Sequence, residues 1–202
     1  MFEPPQHVVD AYNEPHRKYH NLDHIDSILS KIPLFVQEYS IGYRNNQFLE
    51  IIAWYHDVVY IPSHSKNEND SFAKLTVDYS NALIKLDDPI NFPVSGEVNE
   101  MRNTIYATKH HRWPPSWIGA IFFDLDLADM GTDSYVSNSY KIREEFGEFS
   151  DLEWLAGRQK FLSDFLSRPF IYHTSLGYKL WEERARFNMN MELSYLKGKY
   201  GD

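Results

Sequence analysis

Between Leu22 and Ile32 the apolar residues Leu22, Ile25, Ile28, Leu29 and Ile32 recur at steps of three and four, the repeat of one face of an α-helix. This spacing constrains the chain more than any other feature, because it returns along most of its length. Leu49, Ile52, Ala53, His56 and Tyr60 share a face of a second helix from about Phe48 to Tyr60. A third spans Ser71 to about Leu86, Val98, Met101 and Ile105 mark a fourth, and a fifth runs from Ile118 to about Ala128. Further helices cover Ser134–Phe146, Asp151–Leu166 and Leu176–Lys197. Pro33 is expected to interrupt the first and Pro62 to close the second; DDPINFP reads as a loop, the prolines of HHRWPPSW as a break, and Gly131 as a helix end. No segment shows the clear alternation of a half-buried strand. The expectation is an all-α bundle in which residues 1–202 form one domain.

At 43% hydrophobic and 16% aromatic, 202 residues can bury a sizeable core. The formal net charge of −9 works against polyanions and anionic membrane surfaces, so neither a nucleic acid polymer nor a membrane is expected as partner. A small anion remains compatible, since a metal or a few arginines outweigh a distributed charge. Cysteine is absent, which excludes disulfides, thiolate metal sites and a cysteine nucleophile. The N-terminus lacks the pattern of a signal peptide and no apolar run is long enough to span a bilayer, so a cytoplasmic address is expected.

Two imidazoles stand beside the first apolar face, in YHNLDHIDSIL. At about 100° per residue, with Ile25 as centre, His24 falls about 100° away at the core margin and His20 about 140° away. In AWYHDVVY, His56 lands near the middle of its stripe, and Asp57 falls beside Ala53 at the margin. A carboxylate withdrawn from water is costly unless a cation or several donors face it. The fifth helix, IGAIFFDLDLADMG, adds Asp126 beside Phe122 at its margin; Asp124 points roughly the opposite way and is held in reserve, while Asp129 sits just before Gly131.

His24, the His56–Asp57 pair and Asp126 in that order make a pattern H…HD…D, which resembles the metal-binding signature of the HD superfamily of metal-dependent phosphohydrolases. The flanks PHRKYHNLDHI, AWYHDVVY, KNENDS, ATKHH, DLDLADMG, AGR and ERARFN resemble an uncharacterised bacterial branch of that superfamily. The resemblance covers most of the chain and implies an HD-type helical bundle with His24, His56, Asp57 and Asp126 as ligands. YHNLDH is also similar to the YHNxxH motif of cyclic-nucleotide phosphodiesterases, which implies His24 as ligand and His20 as proton donor to the leaving oxygen.

Imidazole and carboxylate together suit a divalent ion such as Mn, Fe, Co, Ni, Zn or Mg, one or two per chain. Such an ion makes bound water acidic enough to attack phosphorus near neutral pH. The expected substrate is a small phosphomonoester or phosphodiester, a nucleotide in first place, and self-association is compatible with it. Glu68 is a candidate base, and Arg17 a phosphate contact through its forked donors. Lys109 and Arg112 are alternatives for phosphate, and His110 or His111 for a second metal or a helix-end pair. Arg158 and Arg186 have no assigned role. His7, His16, His64 and His173 belong to no constellation and read as structural. Two rival readings are a di-iron oxygenase on the same scaffold and a regulatory module that binds metal and nucleotide without turnover.

Overall fold

The computed structural model describes residues 2–62, 64–81 and 95–200, and among them every regular element is helical. In chain order these are α1 (Gln6–Tyr12), α2 (Leu22–Tyr39), α3 (Tyr43–Tyr55), α4 (Asn67–Ser80), α5 (Ser95–Thr108) and α6 (Trp117–Asp126). A 3₁₀ turn (Ala128–Gly131), α7 (Tyr135–Glu145) and α8 (Asp151–Leu166) follow. The single turn α9 (Ser175–Gly177) passes through a wide π-type turn (Tyr178–Glu182) into α10 (Glu183–Tyr200). The all-α class expected from the spacing is therefore the one observed. No described helix is long and apolar enough to cross a membrane.

The centre of the bundle is α6, whose apolar sequence WIGAIFFDLD buries Ile118 through Leu125 without a break. It packs against α2, α3 and α5, while α10 lies across α8 and the 3₁₀ turn. One continuous core links these layers, from Phe2 and Val8 through Ile25, Ile52 and Phe122 to Leu162 and Met189. Close approaches are made with glycine. A Cβ on Gly131 would lie 2.5 Å from the Trp181 Cβ, so only a bare backbone lets the 3₁₀ turn sit on the π-type turn.

Several boundaries differ from the sequence expectation; α3, for one, begins at Tyr43, five residues before Phe48. Pro33 does not interrupt α2, which runs on to Tyr39. A proline inside a helix costs about 3 kcal/mol through a lost hydrogen bond and a ring clash. Here Pro33 lies on the exposed face, and full burial of Phe35 beyond it, worth roughly 1.5–3 kcal/mol, offsets much of that cost. Conversely α3 stops at Tyr55, well short of Tyr60. The Asp57 and Val58 carbonyls that would have continued the ladder are taken by Arg17, at 2.6 and 3.0 Å, and both main-chain groups of Val59 bond the Ser71 hydroxyl. Finally, α4 begins four residues before Ser71; Ala82–Leu86 and the expected DDPINFP loop lie outside the described residues.

Candidate metal centre

Each ligand candidate is delivered by a different element. Asn21 caps α2 by accepting the Asp23 N–H at 2.9 Å, and this start sets His24 in the first turn, buried and facing α6. His56 stands at the C-terminal end of α3, where its own N–H still completes the helix by bonding Ile52 O at 2.8 Å. Asp126 is the last residue of α6. One donor atom from each of His24, His56 and Asp126 lies within 4.8 Å of the other two. The Asp126 Oδ1 is 3.0 Å from His24 Nε2 and 3.5 Å from His56 Nε2. Metals hold nitrogen and oxygen ligands at about 2.0–2.2 Å, so donors sharing an ion stand roughly 3–4.5 Å apart. Asp57 adjoins the cluster from the turn after α3, its Oδ2 3.4 Å from His56 Nε2 and 3.9 Å from His20 Nε2.

The protonation pattern shows what this arrangement requires. The His56 Nδ1 lies 2.9 Å from the Ala53 carbonyl, an acceptor, which fixes the proton on that nitrogen. Nε2 is thereby left pointing at the Asp57 and Asp126 carboxylates, buried and without a hydrogen-bond partner. A lone pair facing two carboxylates needs a positive charge between them, either a proton or a metal ion. Burial alone would depress the His56 pKa, but Asp57 and Asp126 outweigh it and push it up to about 9. Burial would raise Asp126, yet His56, His111 and His24 together hold it well below the usual carboxylate range. The donor set thus fits a divalent cation.

A His20–Glu145 dyad flanks this cluster. His20 lies in the turn before α2, its Nδ1 2.6 Å from the Glu145 Oε2. Glu145, at the end of α7, is tied down further: its Oε1 accepts the N–H groups of Lys18, Tyr19 and His20 at 2.7, 2.7 and 2.9 Å, and Tyr60 donates to Oε2 at 3.0 Å. Burial opposes its charge, but His20 and these N–H groups bring its pKa down to about 2. Burial likewise opposes the charge on His20, and Glu145 raises its pKa in spite of that. His20, His24, Asp57 and Asp126 line a cavity of about 1080 Å³ that runs along α8 past Phe146, Phe149, Trp154 and Phe161.

The remaining sequence candidates divide clearly. Arg17 is buried, and its donors go to Glu14 and to the carbonyls of His20, Asp57 and Val58. It pins the turn that carries Asp57, instead of facing the cavity as a phosphate contact. Glu68 lines the cavity and pairs with Lys109 at 3.3 Å. His111 reaches Asp126 Oδ2 at 2.8 Å, whereas the His110 side chain is exposed. Arg112 pairs with Asp164. Asp124 is fully buried on the other side of α6, where it accepts from His173 N, Thr174 N and Thr174 Oγ1 at 2.6–2.8 Å; it anchors the chain before α9, away from the His24–His56–Asp126 cluster. Asp129 accepts from Ser27 at 2.8 Å. Arg158 is clasped by Glu192, and Arg186 by Glu182 and the carbonyls of Leu166, Arg168 and Pro169. His7 meets Asp78, His16 the Tyr60 carbonyl, His64 meets Asp70, and His173 Nε2 lies 3.3 Å from the His111 carbonyl.

Sequence reasoning missed Glu145 altogether. It lies 125 residues from His20 on a helix whose pattern reads as solvated, and no local signal marks it. The HH pair offers His111 as a second-metal ligand or a helix-end residue, and nothing in the sequence signals its contact with Asp126. No family model matches the chain, and neither a curated protein nor a solved structure shows significant similarity to it.

Proposed function

We propose that the chain is an HD-type, metal-dependent phosphohydrolase acting on a small phosphate ester, with a nucleotide as first candidate. One observation carries the reading. The His56 Nε2 is buried, without a hydrogen-bond partner and aimed between two carboxylates that line a large cavity, beside a third ligand from another helix. His24, His56 and Asp126 would hold the ion, with Asp57 as the adjoining carboxylate. A divalent ion so held supplies Lewis acidity toward water and the phosphoryl oxygens.

The protein's own groups do the rest. Water attacks phosphorus, the P–O ester bond breaks, and the leaving oxygen takes a proton from His20, leaving an alcohol and phosphate. The Glu145 carboxylate on Nδ1 orients the ring and favours its charged form, so that Nε2 carries the proton to be given up. That nitrogen lies 3.9 Å from Asp57, on the cavity side of the cluster. Glu68, at the cavity wall, is the reserve base. The half-buried rings of Phe146, Phe149, Trp154 and Phe161 offer an apolar wall for the non-phosphate part of the substrate.

Elemental analysis of the purified protein, followed by a phosphate-release screen with the metal found, tests the proposal. A near-stoichiometric divalent ion and metal-dependent phosphate release are expected. Nucleotide binding without product would identify a regulatory module instead. Mixed-valence iron with no phosphate release would identify the oxygenase.

A further inference from the structure

The loop from His110 to Arg112 reaches the centre in an unusual backbone conformation. His111 has φ 45°, in the left-handed region that favours glycine. Among the described residues the other non-glycine case is Ser40, which caps the end of α2. A side chain persists in this region where its surroundings over-determine it. Here the surroundings are Arg168, two residues past α8. Its Nη1 donates to the His111 carbonyl at 2.8 Å and its Nη2 to the His110 carbonyl at 2.9 Å. Asp164, one turn earlier, accepts from the same Nη2 at 2.7 Å and also pairs with Arg112. The guanidinium carbon lies 3.6 Å from the centre of the Phe165 ring. Two successive carbonyls are therefore gripped by one planar fork, a task lysine's single ammonium performs poorly.

The consequence appears at the other end of the residue. The His111 Nε2 meets the Asp126 Oδ2 at 2.8 Å, while Oδ1 of the same carboxylate faces His24 and His56. Outer partners of this kind fix how a ligand presents itself to a metal. The geometry points to Arg168 as a positioning residue: by locking His110–His111 in the left-handed turn, it holds the His111 imidazole on Asp126 and so orients the oxygen offered to the ion. The functional part rests on the metal-centre reading above; the clamp itself does not.

Arg168→Gln, His111→Gly and the double variant, each checked for helicity, are titrated with Mn²⁺ against a fluorescent chelator. In parallel, ¹⁵N-histidine spectra of the metal-free protein follow the His111 ring. Arg168→Gln and His111→Gly are each expected to weaken Mn²⁺ binding about tenfold, and the double variant no further than His111→Gly alone, since both act through one contact. Arg168→Gln should also move the His111 Nε2 signal toward that of a free imidazole, with Arg168→Lys intermediate. Additive losses would overturn the proposal, as would unchanged Mn²⁺ affinity with a raised KM, which would put Arg168 on the substrate. If the wild type takes up no Mn²⁺, the metal reading fails, and the His111 signal alone decides the clamp: unchanged in Arg168→Gln, it rejects it. Should Arg168→Gln not fold, Arg168→Lys carries both arms.

Discussion

Asp124 and Asp126 stand two residues apart on α6, both withdrawn from water, and their surroundings treat them in opposite ways. Asp124 meets only neutral donors, two backbone N–H groups and the Thr174 hydroxyl. Burial dominates there, and its pKa is pushed up to about 6. Asp126 meets three imidazoles and is held well below the usual range. The first environment is closed and satisfied, that of a structural anchor. The second is lined with imidazole and carboxylate donors, the environment that the proposed cation site would use. A helix turning about 100° per residue puts neighbours two apart on nearly opposite faces, so one helix serves both ends.

The largest effect separates the two positions directly. Asp126→Asn and His56→Ala should abolish metal content and lower phosphate release by at least about 10³-fold, as loss of a catalytic metal does. Asp124→Asn should leave both intact, with metal stoichiometry by elemental analysis and helicity by circular dichroism as the checks. Equal loss of metal in Asp124→Asn would break the contrast. Next in size, His20→Asn and Glu145→Gln should each lower kcat about 10²–10³-fold while the metal stays bound, the usual weight of a general acid and its partner.

The stability of the anchor forms the third contrast. Asp124→Asn sets an amide against N–H donors, and Gly177→Ala would place a Cβ 2.2 Å from the Asp124 Oδ2. Each should cost on the order of 1–3 kcal/mol in urea unfolding, with Mn²⁺ affinity unchanged.

The smallest effect is a pair of pH slopes of opposite sign in the metal-free protein. The folded-state pKa of Asp124, about 6, lies above that of an unfolded aspartate, so the folded form binds its proton more tightly. The stability linked to that proton is fully present below about pH 4 and is lost as pH rises toward 6. Glu145, at about 2, lies below its unfolded value. Its contribution is present above about pH 4.3 and is lost as pH falls toward 2. Unfolding free energies of wild type against Asp124→Asn and Glu145→Gln should therefore diverge on opposite sides of pH 4.

The same contrast shows what the sequence makes legible. The helical class follows from apolar spacing, and the spacing of Ile118, Ile121, Phe122 and Leu125 correctly sends Asp124 and Asp126 to different faces of α6. It cannot say that the far face is also buried, because the 171–177 segment covering it comes from some fifty residues on. The turn carrying Asp57 reads as helix in the sequence because the buried Arg17 that ends α3 acts through space, not through local propensity. Pro33 reads as a stop in the sequence because Phe35 is held by Trp181, a distant partner. Glu145 had no signal for the same reason: its role is defined by the backbone it wraps. Local order is written in neighbours; convergence is written in pairs that lie from 40 to 125 residues apart.

Anomalous diffraction from crystals grown with Mn²⁺ tests the central claim most directly. The expected result is one strong peak bounded by His24 Nε2, His56 Nε2 and Asp126 Oδ1 at about 2.0–2.3 Å, with Asp57 beside it and Asp124 remote. No peak among those three side chains, with the His56 Nε2 carrying a proton in its place, would contradict it.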